Sequence, residues 1–404
     1  MDLTDAEALD RADPLARFRD RFALPDGIIY LDGNSLGALP NAVVERTSRV
    51  VAEQWGRDLI TSWNTHDWID LPRRVGDKIA PLIGAAPGTV IVADSTSVNI
   101  FKLLSIAIRL RPDRKVIVTE EGNFPTDVYI AGGLATLMGQ GHEIRLAPAE
   151  GLADAIGGDV AAVLVTEVNY RTGAKLDMRA LAARAHAAGA LIVWDLCHSA
   201  GALPVDLSAA DADFAVGCGY KYLNGGPGAP AFAYVAPRYL DGLRQPRSGW
   251  LGHAAPFEFA AEYRAAPGID ALRVGTPPIL SLSALDAALD AFDGEDLAAV
   301  KAKADALFDL FISRCTDLVL LTPRDPAKRG TQLSLRHPEA YAVMQALIAR
   351  GVIGDFRRPD IMRFGLTPLY LRYADIWRAT EILNEVLASR TWDRPEFKQH
   401  AKVV

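Results

Sequence analysis

The chain has 404 residues, and its 43 basic and 50 acidic residues give a formal charge of −7. This balance offers no broad cationic surface for a nucleic-acid backbone or for anionic lipid, so a small molecule is the expected partner. Hydrophobic residues make up 50% of the chain and charged residues 23%, a globular composition that excludes disorder as the main state.

The N-terminal residues and the cysteines bear on the compartment. Acidic and basic residues interrupt Met1–Leu24 at close spacing, so this stretch lacks the continuous apolar core of a signal peptide. No apolar run reaches the roughly 18 residues that a membrane helix needs. Three cysteines, Cys197, Cys218 and Cys315, form an odd and sparse set that favours a reducing compartment over a disulfide framework. We therefore expect a cytoplasmic protein.

The first part of the chain is predicted to be helical up to about Pro25. A short apolar run, Ile28–Leu31, follows, and the Gly/Asn/Ser cluster Asp32–Gly37 indicates a turn. From about residue 79 to residue 235, apolar runs rich in Val and Ile alternate with helical patterns. These runs are predicted strands, at 90–93, 116–119, 161–166, 191–195, 214–217 and 231–235.

The alternation of strands and helices predicts the fold class. Met178–Ala188 is an alanine-rich helix closed by Gly189, so a strand, a helix and a strand follow one another as in a βαβ unit. Strands that are apolar on both faces are typical of a parallel sheet covered by helices. We therefore expect an α/β fold with a mainly parallel central sheet flanked by helices.

A second, smaller unit is predicted after Pro277-Pro278, which breaks the pattern before a long helical stretch, 281–314. Strands are predicted at 318–321, 331–335, 352–356 and 361–364, and helices at 339–350 and 376–389. This mixture indicates an α+β domain. The expected division is an N-terminal segment (1–43), a large domain (44–280) and a small C-terminal domain (281–404).

Asp195 and Lys221 are the residues most indicative of chemistry. Asp195 ends one apolar strand, and Lys221 follows the next one among glycines that let backbone approach a ligand. Ligands of open α/β sheets bind outside the carboxyl ends of the strands. Pyridoxal phosphate (PLP) needs a lysine for its Schiff base and an acid to keep its ring nitrogen protonated. Taken singly, a solvated lysine and a capping aspartate are the commoner interpretations; together they predict a PLP site.

A phosphate site could lie at the start of the helical run after the strand 90–93. There Asp94–Ser97 would present hydroxyl groups and free backbone N–H groups at a helix N-terminus, which binds anions. Considered alone, the segment is better explained as an ordinary Ser/Thr N-cap.

Several motifs together resemble the kynureninase family. They are Tyr30–Gly37, Asn123–Asp127, Asp195–His198, Gly219–Asn224 and Gly249–His253, and the resemblance extends from about Tyr30 to Tyr370. It implies a homodimeric enzyme of PLP-dependent transferase fold type I. The implied reaction is hydrolysis of L-kynurenine to anthranilate and L-alanine, in tryptophan catabolism or NAD biosynthesis. The sequence leaves the choice between kynurenine and 3-hydroxykynurenine open.

The resemblance also implies roles for single residues. Lys221 would be the Schiff-base lysine and general base, Asp195 the partner of the pyridine nitrogen, and Tyr220 a proton shuttle that also holds the phosphate. Further cofactor contacts are implied for Thr96, Ser97, Phe124, Pro125, Thr126, Asp127, Thr166 and His198, and from the facing subunit for Trp250 and Thr276. Substrate contacts are implied for Arg363 on the carboxylate, and for His66 and Asn34 at the aromatic end.

Each of these roles has an ordinary structural alternative. Asp127 could cap a turn, Trp250 could be core, and His198 could be structural; Arg357 and Arg358 are alternatives to Arg363. Other functions also share the lysine and the aspartate. A cysteine desulfurase-like lyase would need a reactive cysteine on a loop, whereas Cys315 lies in an apolar helical pattern. An aminotransferase, an epimerase or a non-catalytic binding module are further alternatives.

Overall fold

The structure is a computed structural model that describes residues 1–315 and 318–401. The α-helices are α1 (Leu3–Ala12), α2 (Asn41–Arg49), α3 (Ser62–Thr65), α4 (Leu71–Ile79), α5 (Thr96–Leu110), α6 (Pro125–Met138), α7 (Leu152–Ala155), α8 (Met178–Ala187), α9 (Ile279–Ala288), α10 (Leu297–Arg314), α11 (Ala340–Ile348) and α12 (Tyr373–Ser389). The strands are β1 (Ile29–Tyr30), β2 (Val90–Val92), β3 (Val116–Glu120), β4 (Glu143–Ala147), β5 (Val160–Thr166), β6 (Leu191–Asp195), β7 (Phe214–Gly217), β8 (Phe232–Val235), β9 (Val319–Leu320), β10 (Gln332–Arg336), β11 (Val352–Ile353), β12 (Asp355–Arg357) and β13 (Ile361–Gly365).

The large sheet has seven strands in the order β2-β8-β7-β6-β5-β3-β4. Only β8 runs against its neighbours, β2 and β7; the other adjacent strands of this sheet pair in parallel. The prediction of a mainly parallel sheet is therefore confirmed. Because the parallel strands end on the same edge, the segments that follow β2, β3, β5, β6 and β7 meet there.

Helices cover both faces of this sheet, as the apolar strands predict. Along β5 every residue is buried. Val163 and Val165 belong to one hydrophobic cluster, whereas Ala162 and Leu164 belong to the cluster on the opposite face. A strand buried on both sides needs apolar residues at every position, which is why no polar alternation is visible in its sequence.

The helices that point at this edge begin where the sequence supplies caps. The side chain of Ser95 accepts a hydrogen bond from the Val98 N–H at the start of α5, at 3.4 Å. Pro125 occupies the first position of α6, where its missing N–H costs no helical hydrogen bond. Gly139 ends α6 at a φ of +61°, a left-handed conformation that favours glycine.

A second sheet, with the order β12-β13-β10-β9, is antiparallel. With α10, α11 and α12 it forms the smaller α+β unit that the sequence predicts. β1, from the N-terminal segment, pairs in parallel with β11, which ties the residues around Asp32 to this unit. The division at 43 and 280 stays a prediction; α9 packs on the large-sheet side, where Asp286 pairs with Arg46 and Lys78.

Three predicted elements differ from the observed ones. The helix expected over 281–314 is broken, because Gly294 takes a φ of +77° and Asp296 caps α10 anew. The run 352–356 is split into β11 and β12. The edge strand β4 was not predicted, since its partly exposed residues mix charged and apolar side chains. Among the described residues, no helix is both long and apolar enough to cross a membrane.

Candidate active site

Lys221 lies just beyond the carboxyl end of β7, in a cleft of about 210 Å³. The cleft is lined by Ser95, Thr96, Ser97, Phe124, Thr126, Thr166, Tyr170, Asp195, Cys197, His198, Tyr220 and Lys221. Lys221 Nζ lies 5.8 Å from the centroid of the Phe124 ring and the same distance from that of the Tyr220 ring. The structure thus brings most of the predicted cofactor residues to one place around the lysine.

Asp195 and Asp127 are two buried carboxylates beside this lysine. Asp195 ends β6, is 3% exposed, and accepts a hydrogen bond from the Cys197 N–H at 2.7 Å. Asp127 has no hydrogen-bond partner for either carboxylate oxygen within the described chain, although it is fully buried. Burial raises the pKa of both acids, and the charge of Asp195 raises the pKa of Asp127 further. A cationic group bound between them would oppose both effects.

His198 contacts the lysine directly. Its Nε2 lies 3.0 Å from Lys221 Nζ, and its Nδ1 is buried without a partner among the described residues. Burial lowers the pKa of His198 well below its ordinary value, and the charge of Lys221 lowers it further. The ring is therefore neutral near pH 7, so Nε2 can accept a hydrogen bond from Lys221 Nζ.

The N-termini of α5 and α6 both open on the cleft. The hydroxyl of Ser97 lies 2.8 Å from that of Thr126, which joins the first turns of the two helices. Thr96 Oγ1 lies 3.6 Å from the Sγ of Cys197. Helix N-termini concentrate free N–H groups and positive dipole ends, so this corner of the cleft suits a phosphate.

Tyr220 and Thr166 complete the walls of the cleft. Burial raises the pKa of the Tyr220 phenol, and the neighbouring Cys218 raises it further, so the hydroxyl is protonated near pH 7. Thr166 ends β5 and donates to the Oδ1 of Asn123. This contact ties the end of β5 to the residue that precedes Phe124, the N-cap of α6.

Arg363, on β13, is buried next to the cleft rather than open to it. It is 1% exposed and forms an ion pair with Asp355 on the neighbouring strand. Its Nη1 donates to the carbonyl oxygen of Tyr170 at 2.6 Å, and Tyr170 in turn lines the cleft. Arg363 thus contacts a residue that lines the cleft but does not line the cleft itself.

Two residues predicted at the aromatic end of the substrate lie elsewhere in this chain. His66 Nε2 is 2.8 Å from Asp58 Oδ2, and its side chain does not line the cleft. Asn34 is fully buried, and its Nδ2 donates to Gln332 Oε1 at 3.5 Å. Their roles at the substrate stay predictions.

Trp250 and Thr276 also lie outside this cleft. Trp250 is 43% exposed and packs edge-on against Phe257, with ring centroids 5.8 Å apart. Thr276 is exposed and lines a separate cleft. Both positions are compatible with contacts to a second subunit, which the sequence prediction requires.

Sequence reasoning missed Tyr170, Ser35 and Asp355 as neighbours of the site. Tyr170 packs edge-on against Phe124, with ring centroids 5.1 Å apart. Its position shortly after β5 could have indicated a place in the site, since ligands of such sheets bind beyond the strand ends. Ser35 is far from Arg363 in the chain, and only the fold brings the two together, whereas Asp355 lies opposite Arg363 in the hairpin of β12 and β13.

These groups fit PLP. The unpartnered oxygens of Asp127 and the unpartnered Nδ1 of His198 are buried polar atoms that a polar ligand would satisfy. The cleft also offers a lysine for a Schiff base, an acid for the ring nitrogen and two helix N-termini for the phosphate.

Comparisons with known proteins agree with this geometry. The family model described as "Kynureninase C-terminal domain" matches residues 300–383. A kynureninase of Pseudomonas fluorescens is 52% identical over 405 residues, which cover 98% of this chain and 97% of that protein. A kynureninase of Burkholderia pseudomallei (strain 1106a) is 52% identical over 411 residues, with 99% of each chain covered.

Solved structures show the same fold at low identity. The cysteine desulfurase CsdA from Escherichia coli superposes with a TM-score of 0.77 at 19% identity, covering 93% of this chain and 98% of that chain. A mutant of C-DES with glycine covalently linked to its PLP cofactor superposes with a TM-score of 0.76 at 19% identity, covering 93% and 99%. The fold type predicted from the sequence is thereby confirmed, and by its identity to full-length relatives this chain belongs to the kynureninase family.

Proposed function

We propose that this protein is a PLP-dependent kynureninase that hydrolyses L-kynurenine to anthranilate and L-alanine. The observation that carries the proposal is the arrangement of Lys221, Asp195 and His198 in one cleft with two helix N-termini, in a chain whose full-length relatives are named kynureninases. The reaction is that of a hydrolase acting on a carbon–carbon bond in a ketone.

Lys221 would hold the cofactor and move protons. Bound PLP supplies an electron sink for the charge that is left when the substrate loses a proton from Cα and when its Cβ–Cγ bond breaks. Asp195 would keep the proton on the ring nitrogen, since a carboxylate at hydrogen-bond distance stabilises a cation in a buried site. The freed Lys221 amine would take the proton from Cα as a general base. His198, being neutral, would accept a hydrogen bond from the lysine and orient it.

Other residues would bind and orient. Thr96, Ser97 and Thr126 would hold the phosphate at the starts of α5 and α6. Phe124 would stack on the ring, with Pro125 setting the first turn of α6 beneath it. Tyr220, protonated near pH 7, would deliver a proton near the phosphate. Arg363 would bind the substrate carboxylate. Hydrolysis adds one water to the ketone carbon, which becomes the carboxyl group of anthranilate, while Cβ gains a proton and becomes the methyl group of L-alanine.

We also propose that the protein acts as a homodimer in the cytoplasm. Exposed apolar side chains occur on α2 and the short helical segments that follow it, and again around Trp250; they are Val44, Val51, Trp55, Leu59, Ile60, Trp250, Phe257 and Phe259. Such apolar surface is typical of a protein interface. It includes Trp250, which supports cofactor contacts across the dimer. The three buried free cysteines support a reducing compartment.

The test is product analysis of the PLP-loaded enzyme supplied with L-kynurenine and no oxo acid. We expect anthranilate and L-alanine in equal amounts, with 3-hydroxy-L-kynurenine assayed alongside. Transamination would instead consume the amino group and stop without an oxo acid, and a desulfurase-like lyase would release alanine from cysteine but no anthranilate from kynurenine. Either result would exclude the proposal.

A further inference from the structure

Arg363 has little hydrogen-bonding capacity left for a substrate. Its Nε donates to Asp355 Oδ1 at 2.6 Å, and its Nη2 donates to Asp355 Oδ2 and to Ser35 Oγ. Its Nη1 donates to the Tyr170 carbonyl. A guanidinium carries five N–H donors, so these contacts leave one of them, on Nη1. A bidentate grip by Arg363 alone is therefore not available in this arrangement.

Arg357 lies beside it, on the same face of β12 as Asp355. Its Nη2 forms an ion pair with Asp355 Oδ2 at 2.9 Å, and its side chain is 31% exposed against 1% for Arg363. Its Nη1 donates to the Phe356 carbonyl at 3.0 Å. The charges of both arginines reach His198 in the cleft, where they help to lower its pKa. Arg357 thus offers free donors next to the single one of Arg363.

Asp355 organises this group. It lies directly opposite Arg363 in the antiparallel pair of β12 and β13, and its Oδ2 accepts from Ser35, Arg363 and Arg357. Although burial acts to raise it, hydrogen bonds and charge from the arginines lower the pKa of Asp355, so it stays ionised. Two guanidinium groups and one carboxylate leave one positive charge in this group. Burial and the charge of Asp355 raise the pKa of the neighbouring Asp32 to about 7, so Asp32 offsets that positive charge only in part near neutral pH.

We propose that Asp355 is a positioning residue that, together with Ser35, orients Arg363 and Arg357 so that the two arginines share the α-carboxylate of the substrate. The inference rests on the proposed function, which supplies an amino-acid substrate. The remaining positive charge matches one carboxylate, and donors from two different strands fix its direction better than one mobile side chain can.

The experiment compares two ligands of the PLP-loaded enzyme by calorimetric titration. L-Alanine carries the α-carboxylate, whereas kynuramine is kynurenine without it. Asp355→Asn keeps the shape of the side chain but weakens its hold on both arginines. We expect the dissociation constant of L-alanine to rise about 10- to 100-fold, the cost of losing charge-assisted hydrogen bonds. That of kynuramine should stay within about twofold.

A matched control is Asp360→Asn, which removes the ion pair between Asp360 and Arg336 of β10, two strands away from Arg357 in the same sheet. It should leave both dissociation constants unchanged. If Asp355→Asn binds L-alanine as tightly as the wild type or more tightly, Asp355 merely competes for the arginines and the proposal is wrong. Equal weakening of both ligands would make the residue structural and would also overturn it.

Two further variants keep the proposal testable if Asp355→Asn folds poorly. Ser35→Ala removes one hydroxyl from the group, and Arg357→Gln removes the second arginine; Arg336→Gln is the control for the latter. Each test variant should raise the dissociation constant of L-alanine by about tenfold and leave that of kynuramine unchanged. Unchanged L-alanine binding in Arg357→Gln would show that Arg363 acts alone. Wild-type anthranilate formation is measured in the same preparations: its absence would remove the proposed function, while the ligand comparison would still decide the role of Asp355.

Discussion

Lys221 Nζ lies 3.0 Å from His198 Nε2, and the histidine is held neutral by burial and by the lysine's own charge. A neutral imidazole accepts a hydrogen bond at Nε2 only when its proton is on Nδ1, the atom that lacks a partner among the described residues. With Lys221 Nζ as the donor, this contact places the His198 proton on Nδ1 and sets the direction of the lysine.

This contact predicts different outcomes for two substitutions of His198. His198→Leu removes the acceptor and should lower kcat by about tenfold, since the Lys221 amine that the substrate frees loses the hydrogen bond that orients it. His198→Gln keeps an acceptor and should retain most of the activity. The kcat of each PLP-saturated variant is measured by anthranilate fluorescence. Equal losses in both variants would show that ring packing, and not the hydrogen bond, is what matters.

The hydroxyls of Ser97 and Thr126 should act as one unit in phosphate binding. Because they lie 2.8 Å apart at the starts of two helices, removing either one disturbs the other. We expect Ser97→Ala and Thr126→Val each to raise the PLP dissociation constant by about tenfold, and the double variant by much less than the product. Equilibrium titrations of the four proteins form a double-mutant cycle. Fully additive effects would contradict a shared site.

Glu167 predicts a pH-dependent stability difference. It is 2% exposed, and burial raises its pKa to about 7. The folded protein therefore keeps this carboxyl group protonated up to about pH 7, whereas the unfolded chain releases the proton near pH 4.5. The stability that the protonated group contributes is full below pH 4.5 and is lost as the pH rises to about 7. Glu167→Gln mimics the protonated form at every pH.

Glu167→Gln should accordingly gain stability over the wild type by up to about 3 kcal/mol between pH 4.5 and pH 8. Urea unfolding at the two pH values measures the difference. Glu150→Gln, at an exposed acid, is the control and should show no such change. A stability difference between Glu167→Gln and wild type that is the same at both pH values would contradict the shifted pKa.

The exposed apolar surface predicts that dimerisation and cofactor binding are linked. Ile60 is 76% exposed, so Ile60→Asp should leave the fold intact but favour the monomer, because a charge would be buried at the interface. PLP affinity should fall with it if Trp250 and Thr276 act across the dimer. Val319→Asp places the same charge at a 57% exposed position on β9 and should change neither property. Sedimentation velocity measures the oligomeric state of both variants. A dimeric Ile60→Asp variant would exclude this surface from the interface.

How much the sequence predicts depends on the range of the interactions involved. The parallel strands were predictable because burial on both faces leaves continuous apolar runs such as Val160–Thr166. Lys221 and Asp195 were predictable because each follows or ends such a strand. The edge strand β4 was missed because it has solvent on one side and charged residues in it.

The surroundings of Arg363 show what single-sequence reasoning could not supply. Its role was inferred from a resemblance, but its partners Ser35 and Tyr170 lie far from it in the chain. Ser35 belongs to the segment that follows β1, whose pairing with β11 no local pattern specifies, whereas Asp355 lies only eight residues before Arg363 in the hairpin of β12 and β13. The break at Gly294 was missed for the opposite reason, since the glycine and the Asp296 cap interrupt locally a stretch whose pattern is otherwise helical.

The most direct test measures cofactor absorbance and anthranilate fluorescence together, in the wild-type enzyme with PLP and L-kynurenine and in Lys221→Ala under the same conditions. Absorbance follows the lysine-linked cofactor, and fluorescence follows anthranilate. The account predicts a visible cofactor band and rising anthranilate fluorescence for the wild type, and neither for Lys221→Ala, with Lys328→Ala behaving as the wild type. Steady anthranilate formation by Lys221→Ala, or a wild type that binds PLP without releasing anthranilate, would contradict it.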